Sequence, residues 1–235
     1  MVKEGRENLK KAEGYLAQGS TLREQASHAA ALSFLNAAIA LFVTGKDYSG
    51  LISALGSRCL TWKHLLQLTG DRAYAVLAKK DAEACLELTR MKGVKAHLHT
   101  SHFRVAEILI YFKDYSGAIK HYELALRHYR GTRAEKGDFR YHLGEALFRN
   151  GQENLGKATI LKGLKEIQDN RREVGSFLSH VWESGALMRL TELLWPSERQ
   201  LARDYLARAR QIISRDQRLV MRKKQLRLLT QRILK

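Results

Sequence analysis

The chain has 235 residues, 45% of them hydrophobic, with a single proline, two cysteines and a formal net charge of +17. That apolar share excludes a disordered chain, and one proline is too few for the turns of an all-β fold. Two cysteines cannot staple a small secreted domain, and the absence of a run of about 18 apolar residues argues against a membrane span.

Apolar residues recur at three- and four-residue spacing along nearly the whole sequence, which predicts an all-α fold. In chain order, helices are expected at 3–18, 21–44, 48–69, 71–92, 95–112, 116–130, 135–149, 152–169, 173–194, 198–213 and 215–234. Glycines punctuate several of these ends, at Gly45, Gly70, Gly93, Gly131 and Gly151. Connections of two to four residues predict antiparallel packing of successive helices. Residues Met1 to Glu7 are polar and lack the apolar centre of a signal peptide. Together with the cysteine count, this predicts a cytoplasmic protein.

The phrase Lys46-Asp47-Tyr48-Ser49-Gly50 returns as Lys113-Asp114-Tyr115-Ser116-Gly117, 67 residues later. That spacing is about twice 34, the period of one helix-turn-helix repeat family. Counting His99 as position 1, Ala106 stands at position 8, Leu109 at 11, Tyr115 at 17, Ala118 at 20, Tyr122 at 24 and Ala125 at 27. A second unit, Gly137 to Asn170, puts Gly144 at 8, Leu147 at 11, Gly156 at 20, Ile160 at 24 and Gly163 at 27. Small residues at 8, 20 and 27 are where two helices cross closely. On these residues the segment 99–170 resembles the tetratricopeptide repeat, with weaker matches on either side.

The resemblance implies an α-solenoid of stacked antiparallel helix pairs over 21–213, preceded by an N-terminal helix over 1–20. A basic C-terminal helix over 214–235 is expected to pack on the last repeat. It also implies a non-enzymatic scaffold or adaptor, with no cofactor, that takes a protein or peptide partner in a concave groove. Carrying the family's groove positions onto this chain gives Phe103, Glu107, Tyr111, Tyr141, Glu145, Phe148 and Arg149, with Asn36 from a degenerate earlier unit. The aromatic and acidic character argues against a clamp for carboxylate termini and favours a basic or apolar helical ligand.

Catalytic and metal motifs are missing. His97, His99 and His102 cluster without an HExxH pattern, and no cysteine pair has zinc-like spacing. No phosphate-binding glycine loop occurs, and Cys59 and Cys85 sit in apolar helical surroundings that suit buried side chains.

Charge is uneven. Residues 197–235 hold twelve Lys/Arg against three Asp/Glu, about half of the whole excess. Arg215, Arg218, Arg222, Lys223, Lys224 and Arg227 therefore form a candidate surface for an anionic partner, with nucleic-acid backbone as the alternative to a protein partner. Leu219, Leu226, Leu229 and Ile233 form the apolar stripe of the same segment. No aromatic residue follows Tyr205, so base stacking from this segment is not expected.

Overall fold

The computed structural model describes residues 2–234, with side chains from residue 5 onward. Among the described residues there are eleven α-helices, three short 3-10 turns and no strand. Two compact units divide the chain, Met1–Phe112 and Lys113–Lys235.

The first unit contains α1 (Val2–Glu24), α2 (His28–Thr44), α3 (Tyr48–Thr69), α4 (Ala73–Met91) and α5 (Leu98–Leu109). Each helix packs on the next, and every second helix also touches, α1 with α3 and α3 with α5. Its core joins Ala38, Phe42, Ile52, Leu55 and Cys85, with a second cluster of Cys59, Ala78, Ala82 and Ile108.

The second unit contains α6 (Tyr115–His128), α7 (Arg133–Arg149), α8 (Glu153–Asp169), α9 (Gly175–Leu194), α10 (Arg199–Arg215) and α11 (Val220–Ile233). Sequential packing holds here too, with additional contacts of α9 with α7 and α11. Ile160, Leu164, Ile167, Leu187, Leu190, Leu194 and Leu229 build its core. The apolar stripe of α11 joins it, with Leu219 and Leu229 buried and Leu226 and Ile233 packed alongside.

The repeated phrase makes the same turn twice. Lys46 and Lys113 take the left-handed conformation, at φ 55° and 61°. The following aspartates cap the next helix: Gly50 N–H donates to Asp47 Oδ1 at 3.0 Å and Gly117 N–H to Asp114 Oδ1 at 2.9 Å. At the first copy, the Asp47 amide reaches back to the Phe42 carbonyl at 3.0 Å, so the backbone closes one helix and opens the next within three residues. At the first copy the phrase needs its closing glycine, because a Cβ on Gly50 would lie 2.3 Å from the buried Phe42 ring.

Glycines set the closest approach in the second unit. A Cβ on Gly137 would stand 2.6 Å from the Gly163 carbonyl oxygen, and one on Gly163 would stand 2.5 Å from that of Gly137. Gly144 and Gly156 form a second such pair one turn-set along. The small positions read from the sequence are therefore the seam between α7 and α8. In the segment 99–130, Ala106, Ala118 and Ala125 are all fully buried. The division between the two units falls inside that segment, after Phe112.

Several boundaries differ from the sequence expectation. The first helix does not end near residue 18 but continues to Glu24, and the break lies at Gln25–Ser27 with Ala26 left-handed. Gly19 is a packing residue, since a Cβ there would meet Leu35 Cγ at 2.7 Å. The segment expected as one helix over 95–112 is α5 flanked by 3-10 turns at Lys95–His97 and Ile110–Phe112. The last connection is longer than expected because Asp216 organises residues 216–219 through its own hydrogen bonds.

Candidate binding surfaces

Contacts between every second helix include polar pairs beside their apolar ones, as do the seams between successive helices, where Arg58 pairs with Asp81 and Arg140 with Glu166. In the first unit, Arg23 on α1 donates to Ser57 Oγ on α3 at 2.5 Å. Between α3 and the end of α5, Lys63 pairs with Glu107 and Gln67 Nε2 donates to the Tyr111 hydroxyl at 2.5 Å. Glu107 also pairs with Arg104 of its own helix.

The second unit repeats the arrangement. Glu145 on α7 pairs with Arg149 at 2.8 Å and with Arg189 on α9 at 2.8 Å. Glu192 on α9 gathers Arg189 at 2.7 Å, Arg149 at 3.3 Å and Arg232 of α11 at 3.3 Å. Burial alone would raise the Glu192 carboxyl, but these three guanidiniums outweigh it and hold the group below its ordinary range.

These placements revise the groove expectation. Phe103 and Tyr141 are buried, at 4% and 2% exposure, so neither is presented as an aromatic anchor. Each lies on a helix packed on two sides, which leaves little of its circumference to solvent. Glu107 and Glu145, also buried, each hold two cations. They do not form an acidic wall for a basic ligand. Tyr111, Phe148 and Arg149 are half-buried, and Asn36 is exposed and accepts a hydrogen bond from Arg58 Nη1 at 2.8 Å.

The basic residues of the C-terminal segment separate into two groups. Arg218 is tied to Asp216, at 2.8 and 2.7 Å from Nε and Nη2, and to Ser176 at 3.0 Å. Those bonds, with a further one from His180 Nδ1 at 2.9 Å, hold the Asp216 carboxyl well below the usual range. Arg222 is likewise engaged, donating to the Val181 carbonyl at 3.1 Å and to Gln225 Oε1 at 2.7 Å. Arg218 and Arg222 are thus structural residues. Arg215, Lys223, Lys224 and Arg227 are exposed, and none has a carboxylate within ion-pairing distance among the described residues.

A recess of 250 Å³ opens between α9, α10 and the 3-10 turn Arg171–Glu173, and was not anticipated from the sequence. Arg171, His180, Glu183, Arg208, Gln211 and Arg215 line it. The signal present in the sequence was the seven-residue spacing of Arg208 and Arg215, which places both on one face of α10. Their companions come from other helices and carry no local signature.

Burial pushes the Cys85 thiol up to about 12 and the Cys59 thiol higher still. Neither is positioned as a nucleophile. No helix among the described residues is long and apolar enough to cross a membrane. No protein-family profile matches the chain, and no curated protein is similar to it.

Proposed function

We propose that the chain is a non-enzymatic scaffold of tetratricopeptide-like helical repeats that binds a protein or peptide partner. The observation that carries this reading is the contact between every second helix within each unit, α1–α3–α5 and α7–α9–α11. Repeats that stack in register bring first helices side by side, and such a surface is what a solenoid offers to a partner. The polar lacing of that surface supports a rigid platform, because its charged groups are already ordered before a ligand arrives.

Partly accessible residues on these surfaces are Phe148 and Arg149, with Tyr111 in the turn that follows α5; the exposed Asn36 lies on α2, outside them. Hydrogen-exchange footprinting of the full chain with a captured partner tests the assignment. Protection confined to α1, α3 and α5, or to α7, α9 and α11, supports it. Protection confined to α10 and the exposed face of α11 contradicts it.

A second reading, binding of a nucleic-acid backbone, is favoured by one observation. Lys223, Lys224 and Arg227 are exposed on α11, and none has a carboxylate within ion-pairing distance among the described residues. Such a contact would be salt-dependent and weakly sequence-selective, since the segment supplies charge without aromatic stacking.

A further inference from the structure

We propose that the recess between α9, α10 and the Arg171–Glu173 turn is a binding site for the phosphoryl group of a small phosphorylated ligand. This goes beyond the scaffold reading and stands independently of it, because every lining residue lies within 171–215 of the second unit.

Charge is the first argument. Three guanidiniums, from Arg171, Arg208 and Arg215, face the recess against one carboxylate, Glu183, leaving an excess of two positive charges. That excess matches a phosphate dianion. Glu183, already counted in that balance, is paired within the protein. Its two oxygens are taken by Gln168 Nε2 at 2.8 Å and Arg171 Nη2 at 2.7 Å, and its side chain is 5% exposed.

Preorganisation is the second. The bond to Glu183 uses one nitrogen of Arg171 and fixes the plane of the fork, while the side chain remains half exposed with donors to spare. The Arg208 guanidinium lies over the Tyr205 ring, its Cζ 5.9 Å from the centroid, a contact that leaves its N–H donors unoccupied. Arg208 and Arg215 have no carboxylate in ion-pairing distance among the described residues. His180 is held by Asp216 at 2.9 Å, and the Gln211 amide adds a neutral donor.

Size is the third. At 250 Å³ the recess is smaller than the roughly 300–1,000 Å³ pockets that bury drug-sized ligands. No Phe, Tyr or Trp lines it to stack a base. The geometry fits a phosphoryl or diphosphoryl group and not a whole nucleotide.

The test uses the full chain and two small probes, inorganic diphosphate and glycerol 3-phosphate, with binding read by calorimetry and by phosphorus NMR line broadening. Diphosphate is expected to bind at one site. Glycerol 3-phosphate binding as tightly assigns a phosphate ester as the source, and diphosphate binding at least tenfold tighter assigns a free polyphosphate. The double variant Arg208→Ala/Arg215→Ala is expected to lose at least tenfold in affinity. Lys223→Ala/Lys224→Ala, which removes the same charge from α11, is expected to change it less than twofold. Both pairs are exposed, and circular dichroism checks that each variant keeps its helix content. Equal losses in the two double variants would overturn the proposal, because the effect would then be general charge. So would the absence of diphosphate binding at low salt. A single-stranded RNA that binds tightly and is not displaced by diphosphate would overturn it in favour of a backbone-tracking surface.

Discussion

Gly144 and Gly156 face each other across the α7–α8 seam, and a Cβ on either would lie 2.7 Å from the carbonyl oxygen of the other. The obstruction is backbone on both sides, so no side-chain rotation relieves it. Gly144→Ala or Gly156→Ala should therefore destabilise the protein by about 1–3 kcal/mol, despite a helix-propensity gain near 1 kcal/mol. Gly14, with nothing within 4 Å of its would-be Cβ, is the control. Gly14→Ala should stabilise by about 0.5–1 kcal/mol, and urea unfolding measures both signs.

The two copies of the turn predict a pair of opposite effects. Asp47→Ala and Asp114→Ala each remove an N-cap and should cost about 1 kcal/mol. Lys46→Gly and Lys113→Gly remove a side chain from a left-handed residue and should raise the midpoint of thermal unfolding. A lowered midpoint for both glycine variants would contradict the turn geometry.

Much of this was legible in the sequence, for identifiable reasons. Gly144, Gly156 and Gly163 sit inside helical patterns at the spacing of a repeat, where glycine costs stability unless a neighbour approaches closely. The seam followed from that. The left-handed residue after α2 was not legible, because Gly45 stands one residue ahead of Lys46, which bears the strain. Phe103 and Tyr141 were placed at the groove by the repeat family's groove positions, whereas here each sits on a helix with neighbours on two sides and is buried. The recess was illegible because Arg171 and Glu183 meet Arg208 and Arg215 only through tertiary packing.

Glu145 joins α7 to α9 through two arginines. Glu145→Ala leaves both guanidiniums with Glu192 as their remaining carboxylate partner. The loss should be about 2–3 kcal/mol, below the 3–5 kcal/mol of a fully buried pair because both arginines keep some solvent contact. Guanidinium denaturation midpoints of wild type, Glu145→Gln and Glu145→Ala should fall in that order.

Glu192 and Asp216 have carboxyl pKa values held below those of the unfolded chain. Their contribution to stability is complete above the unfolded carboxylate range and is lost as pH falls through the lower folded values. Unfolding free energy should therefore decline below about pH 5, and Glu192→Gln should make that decline shallower. A slope unchanged by the substitution would show that other carboxylates carry it.

Cys85, whose Sγ–H reaches the Ile52 carbonyl at 3.4 Å, and the fully buried Cys59 should resist thiol reagents in the native protein. Labelling by an aromatic disulfide should proceed at the rate of global opening and become immediate in denaturant. Rapid labelling of either residue under native conditions would contradict its place in the core.

The central claim is tested most directly by affinity capture from native lysate, run with and without nuclease, using the wild type and a Lys223→Glu/Lys224→Glu/Arg227→Glu variant. The scaffold reading predicts recovery of the same protein partner in all four arms. Recovery that disappears both on nuclease treatment and on charge reversal would contradict it and identify the exposed face of α11 as a nucleic-acid surface.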